Sequence, residues 1–289
     1  LNRQFQKALF LAPAVIMLTV FFLFPLFEAV RLSFTDSSGL GDYSYVGFSN
    51  YVRVFTRSKY YDSFTITIEF VALVVVLQTA LGLAFATVLN AMPTIRNFCR
   101  AALFMPAMMS FIIVGYIWSF ILSPFSGGLN AFLDSAGLGM LKHEWLGDPV
   151  TALLFVAVAH VWMFTGYTCA IFLAGFANIP SDLEEAAKLD GANAWQRFCR
   201  IQLPLLAPSF TVNIMLSTIG TMKTFELPFV MTKGGPDGAT QTIGLQIIQT
   251  LFQEYRFGLA SALSVVLLVL VLIVAFVQNR LLRRREEML

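Results

Sequence analysis

The 289-residue chain is 57% hydrophobic and only 12% charged, which leaves too little polar surface to wrap a water-soluble globule of this length. A formal net charge of +2 carries no signature of a nucleic-acid partner. Three cysteines, Cys99, Cys169 and Cys199, make an odd set that implies no disulfide framework. The chain belongs in a bilayer, and its apolar runs are continuous rather than alternating with period two, so helices are expected and a barrel is not.

Crossing about 30 Å of hydrocarbon takes roughly 20 apolar residues in a helix, and six stretches qualify: residues 8–30, 64–90, 101–122, 152–176, 205–224 and 259–277. The first, preceded by Arg3 and Lys7, is too long for a typical signal-peptide core and lacks a small-residue cleavage site, so a retained span is expected. The connection 31–63 contains SSGLGDYSYVGFSNYVRVF, a surface loop with a short interfacial helix. Gly82 and Ala86 in the second span suit close helix packing. In the connection 123–150, His143 and Glu144 do not form HExxH and no second histidine stands at ligand spacing, so no metal site is expected. Trp118 and Trp145 read as interface anchors, and Gly234, Gly235 and Pro236 of TKGGPDGAT mark a tight turn after the fifth span.

Arg96 and Arg100, then Lys188, Arg197 and Arg200, then Arg280, Arg283, Arg284 and Arg285 fall in segments on the same side as the N-terminus. By the positive-inside rule both termini are cytoplasmic. No low-complexity tract or internal repeat interrupts what reads as a single membrane domain over residues 1–289.

One segment departs from the oily pattern: EEAAKLDGANAWQRFCRIQLPLLAP, between spans four and five. Ser181 with Glu184 matches a capping box, Asp190 and Gly191 end that helix, and Asn193 with Gln196 repeats the box. The expected product is a cytoplasmic hairpin over residues 181–203, helix, glycine joint and second helix, ending before Pro204. Leu183, Ala186 and Ala187 line an apolar face on the first helix, and Trp195, Phe198 and Cys199 on the second. Neither helix is long enough to span, so the hairpin suits docking to something outside the membrane.

Glu185-Ala186-Ala187, Asp190-Gly191-Ala192, Phe198, Leu203-Pro204 and Pro208 resemble the EAA loop of permease subunits in bacterial ATP-binding-cassette importers, an ungapped match far more specific than a lone glycine motif. The six spans, the TKGGP turn and the arginine-rich tail extend the resemblance, and the DGA variant is most similar to carbohydrate importers of the maltose and glycerol-phosphate type. The resemblance implies an all-α polytopic membrane protein with six spans, in the bacterial cell (inner) membrane. It also implies a second homologous permease subunit, two ATPase subunits and an extracytoplasmic solute-binding protein as partners. Glu185, Ala186, Ala187, Asp190, Gly191, Ala192, Trp195, Phe198 and Pro204 then seat in the ATPase, with Glu185 making a charge-assisted contact to that partner or to Arg197 or Arg200. The chain contains no GxxxxGK[ST], so it binds no nucleotide through a P-loop, and ATP and Mg belong to the partner ATPase subunits.

The resemblance also marks a path for solute. The helix before such a loop lines the sugar site in maltose-type permeases, which places His160, Met163, Phe164 and Tyr167 along one face. A histidine bonded to a neighbouring helix among packing aromatics is the alternative. On the fifth span, Asn213, Ser217, Gly220, Thr221 and Thr224 form a small polar stripe, with Asn213 suited to packing, Thr221 and Thr224 to the path and Gly220 leaving room for a ligand or a close helix; helix packing alone is the alternative for the whole stripe. No paired acids or nucleophile–base set falls at membrane depth, so no catalytic residue is expected. An amino-acid or peptide importer is the nearest alternative. An ion-gradient transporter finds little support in Glu28, Glu69 and His160.

Overall fold

The computed structural model describes residues 3–286. The outermost positions of the expected domain, 1–2 and 287–289, lie outside the described residues, as do the side chains of Arg3, Lys7, Arg284 and Arg285. Apart from one isolated bridge between Thr35 and Tyr45, the regular structure among the described residues is helical: α1 (Arg3–Leu18), a π-helical turn (Thr19–Leu23), α2 (Phe24–Leu32), α3 (Ser49–Thr56), α4 (Ser58–Ala91), α5 (Pro93–Phe104), α6 (Phe111–Ile121), α7 (Gly128–Ser135), α8 (Pro149–Ala177), α9 (Ser181–Leu189), α10 (Ala194–Arg197), α11 (Leu203–Leu205), α12 (Ala207–Met222), α13 (Glu226–Thr232), α14 (Ile243–Phe252) and α15 (Phe257–Glu286). Among the described residues four helical runs are long and apolar enough to cross a bilayer, and two bent pairs, each counted as one span, make up to six.

The third expected span carries one of these bends, and the fifth begins at the other. Between α5 and α6 the chain turns by 99°. Pro106, in a 3-10 turn over Met105–Met108, has no N–H to give a continuing helix, and Ser110 restarts it by accepting the Ile112 N–H at 3.3 Å. The fifth stretch bends by 63° between Ala194–Leu205 and Ala207–Met222, where Pro208 would place its ring against the carbonyl of Pro204 in an unbroken helix. A correction falls one turn earlier. The helix expected to stop at Leu203 passes Pro204, because residues Phe198–Gln202 widen into a π-turn that carries the chain through to Leu205.

The chain divides into two compact units, Leu1–Asp62 with Gln246–Leu270, and Ser63–Leu245 with Val271–Leu289. In the first, the run Leu11–Leu32 buries none of its apolar side chains, Phe21 and Phe27 included, as befits a helix solvated by lipid. Its loop is ordered by Asn50, whose Nδ2 donates to the Ser33 carbonyl at 2.9 Å and the Thr35 carbonyl at 2.7 Å, and by the Lys59–Glu254 ion pair at 2.6 Å.

In the second unit α8 is the central helix. Phe70 and Val74 of α4, Val114 of α6, Val156 and Ala157 of α8 and Leu227 of α13 form one buried cluster, and Ala86, Leu89, Cys169, Phe172 and Leu206 another. Lipid is as apolar as leucine, so close packing rather than expulsion from water must hold spans together. The glycines show this: a Cβ on Gly82 would strike Thr168 of α8, and one on Gly166 would strike the Leu103 carbonyl of α5. α8 starts at Asp148, which accepts the Val150 N–H at 2.9 Å and lies 2.7 Å from His143 Nε2. The Val150 N–H first, and then His143, hold the Asp148 carboxyl below its ordinary pKa.

Candidate functional site

Within the second unit, side chains of α4, α6, α8 and α12 line a half-open cavity of about 270 Å³. At about 100° per residue, His160, Phe164, Tyr167 and Thr168 share one strip of α8, and all four line the cavity. Met163 does not join them. It lies about 90° from the middle of that strip and packs into the apolar cluster at 2% exposure, which corrects its expected place on the path. The His160 ring stands 4.8 Å from Phe164, Phe111 of α6 lies 5.8 Å from Phe164, and Tyr167 is 5.1 Å from Phe104. No bond to a neighbouring helix reaches His160 Nδ1, which is buried without a hydrogen-bond partner.

On α12, Gly220 lines the cavity, and a Cβ there would meet nothing within 4 Å. Thr221 is buried with its hydroxyl unpartnered, whereas the Thr224 hydroxyl donates to the Gly220 carbonyl at 3.3 Å. Asn213 is a packing residue as well as a lining one: its Nδ2 donates to Thr79 Oγ1 at 2.9 Å and its Oδ1 accepts from Thr168 Oγ1 at 2.7 Å. Because the Thr168 hydroxyl is spent as a donor, it accepts from Gln78 Nε2 at 2.8 Å. That amide also donates to Ser217 Oγ at 3.0 Å, and Gln78 Oε1 is left over, buried and without a partner. Gln78 escaped the sequence reading. Its signal was the single amide in the otherwise apolar run VVVLQTALGL.

The hairpin is joined to two of the cavity's helices: α9 follows α8 after residues 178–180, and α10 and α11 lead into α12. Gly191 sits at φ +81°. The Ala192 N–H donates to the Ala187 carbonyl at 2.9 Å and the Gly191 N–H to the Lys188 carbonyl at 3.1 Å, the Schellman closure that glycine permits. The second capping box is formed in full: Asn193 Oδ1 accepts the Gln196 N–H, and Gln196 Oε1 accepts the Asn193 N–H, both at 2.9 Å. The first is not. Pro180 holds the cap position with no side-chain bond, so Ser181 is already helical, and Glu184 Oε1 instead accepts from Gln202 Nε2 at 2.7 Å, clipping the two arms together.

Ala187 faces inward, while Glu185, Ala186 and Asp190 are exposed. Arg197 donates to the Ala192 carbonyl at 2.9 Å, and among the described residues no ion pair reaches Glu185. Phe198 and Pro204 are half-buried, Phe198 against the Phe172 cluster. Leu189 and Trp195 stand 89% and 71% exposed, a large apolar area for so polar a segment. Among the described residues no group of His, Cys, Asp and Glu is placed to hold a metal ion.

This all-helical polytopic membrane protein, whose cavity helices α8 and α12 flank an amphipathic hairpin, is by its family a transport permease and not an enzyme. The chain belongs to the family of binding-protein-dependent transport system inner membrane components, whose model matches residues 78–287. It is 31% identical over 278 residues to the probable starch degradation products transport system permease protein AmyD of Thermoanaerobacterium thermosulfurigenes, covering 96% of this chain and 94% of that one. It is 34% identical over 283 residues to the trehalose/maltose transport system permease protein MalF of Thermococcus litoralis, covering 96% and 94%. Its fold is similar to a chain of a bacterial ABC transporter involved in the import of the acidic polysaccharide alginate, with a TM-score of 0.86 over 98% of this chain and 96% of that chain, at 22% identity. The resemblance to importer permeases stated from the EAA loop is thus borne out.

Proposed function

We propose that this chain is a carbohydrate-translocating subunit of an ATP-driven importer in a bacterial cell (inner) membrane. In this reading residues 1–289 work as one transmembrane domain, with both termini cytoplasmic and the 181–203 hairpin within it. A second homologous permease completes the pore. An extracytoplasmic binding protein delivers the solute, and two ATPase subunits hold the ATP and Mg that this chain does not bind. Relatives named for starch products and for trehalose and maltose support the solute class.

The observation that supports the reading is the short connection of the hairpin to α8, through residues 178–180, and to α12, through the bend at Leu206. A displacement of Leu189 and Trp195 by a bound partner then reaches two walls of the cavity through the three residues 178–180 and the bend at Leu206. The Gly191 joint and the Glu184–Gln202 clip keep the hairpin's arms at a set angle. Alternating access then requires only that the nucleotide state of the partner favour one arrangement of those walls over the other by a few kcal/mol, on the order of the bias that inverts a two-state population.

Gly191→Leu tests this. The left-handed backbone at 191 costs a residue with a Cβ about 1–2 kcal/mol, and space around the position is open, so the chain should insert and fold while the joint changes its angle. ATPase association or solute-stimulated hydrolysis should be lost. Normal stimulation in that variant would remove the hairpin from the coupling path.

A further inference from the structure

We propose that Arg57, Lys59 and Arg256 grip the phosphodiester of an anionic phospholipid of the phosphatidylglycerol kind at the surface of the bilayer. Within the first unit these three cations line one open polar cleft, where α3 gives way to α4 and where α15 begins. Glu254 is the single carboxylate in its wall. It accepts from Lys59 Nζ at 2.6 Å and stands 3.8 Å from Arg256 Nη1, so it holds two of the cations in place without neutralising all three. Arg57 is exposed, and among the described residues its guanidinium has no partner. A surplus of positive charge therefore faces the cleft, and two of its three carriers are arginines, whose planar forks match phosphate oxygens two at a time.

Position and surroundings point to a lipid. Both α4 and α15 are long and apolar enough to span, and their apolar stretches begin at Phe64 and Leu259. At 1.5 Å per helical residue Lys59 stands about 8 Å beyond Phe64, the level of a headgroup layer that adds roughly 5–8 Å to each side of the hydrocarbon. Arg256 directly precedes α15. Phe55, Tyr61, Phe252 and Tyr255 adjoin the cleft residues in sequence and are 63%, 61%, 61% and 64% exposed, and aromatic side chains settle at the membrane interface. An acidic loop of a soluble partner would answer the charge but leave that apolar rim in water. On the topology proposed above the cleft faces outward, where lysine and arginine are ordinarily fewer, and a lipid counter-charge gives these cations a use there. Phosphatidylcholine brings an ammonium of its own, which the surplus charge repels, so the headgroup is net negative. The site needs only that α4 and α15 cross the bilayer, and it is independent of which solute the chain carries.

The test titrates the whole importer, delipidated in detergent, with dioleoyl phosphatidylglycerol, with dioleoyl phosphatidylcholine and with inorganic phosphate, and counts bound molecules by native mass spectrometry. Phosphatidylglycerol should bind about tenfold more tightly than phosphatidylcholine, and inorganic phosphate, which brings no acyl chain to the aromatic rim, should not be retained. Arg57→Gln should weaken one bound phosphatidylglycerol about tenfold, and adding Arg256→Gln should bring that lipid down to the level of phosphatidylcholine. The Arg57 side chain bonds to nothing else in the chain, so its truncation probes the cleft without unsettling the fold. Lys142→Gln, which removes an exposed cation outside the cleft, should change nothing. Equal binding of phosphatidylcholine, or an Arg57→Gln importer that keeps its full complement of lipid, overturns the proposal. So does phosphate held as tightly as the lipid, which would make this a free-anion site, and so does displacement of the lipid by added binding protein, which would make it a protein contact.

Discussion

The hairpin and the cavity are unfinished in different ways. In the hairpin the backbone and most polar side chains are paired locally, through the Gly191 closure, the Asn193 box and the Glu184–Gln202 clip, yet Leu189 and Trp195 remain bare. In the cavity Tyr167 and Leu216 are bare as well, but there Gln78, His160 and Thr221 each keep a buried polar atom without a partner. Excess apolar surface at a water-facing hairpin calls for a protein, and excess hydrogen-bonding capacity inside a bundle calls for a polar small molecule. On the proposed function, the two ends of α8 and α12 serve different partners while sharing the same helices.

Filling the cavity should break the comparison most severely. Gly220→Phe places its first carbon in open space, so the chain should fold and still bind its ATPase, while uptake falls on the order of 100-fold because the ring displaces the ligand. Uptake at the parental rate would mean that solute passes elsewhere. Next, Trp195→Ala should weaken association with the ATPase roughly 30-fold, about the 2 kcal/mol of a buried aromatic anchor, measured by titration on detergent-solubilised subunits. Because Trp195 is exposed in the chain alone, its thermal midpoint should stay put; a fall would mark the residue as structural.

Asn213→Leu sharpens the other side. It strips partners from Thr79 and Thr168, so unfolding should become about 1–3 kcal/mol easier, a loss that Thr221→Val should not show. The smallest effect concerns Asp148. Its pKa is depressed from 3.8, so its contribution is complete above that value and is lost as pH falls through the lower folded one. Amide exchange at residues 150–153 should accelerate over that acid range and become insensitive to it in Asp148→Asn, with the cavity end of α8 unaffected.

Much of this was readable along the chain because its physics is local. Twenty apolar residues announce a span whatever surrounds them, and Asp190-Gly191 followed by Asn193 and Gln196 specifies a helix end and a helix start within seven positions. Local signals still failed where two competed. Ser181 lost its cap role to Pro180, Glu184 turned to Gln202, and the prolines at 106 and 208 bent runs whose hydropathy alone looked unbroken. The cavity was legible only as a face. Periodicity put His160, Phe164 and Tyr167 on it but also admitted Met163, since a helix does not announce where its neighbours stand. Gln78 shows the limit most plainly: its partners Thr168 and Ser217 lie 90 and 139 residues away. Which of its two amide ends stays unpaired follows from a chain of bonds across three helices, so hydropathy settles that a segment crosses the membrane, and contact between distant segments settles what it offers inside.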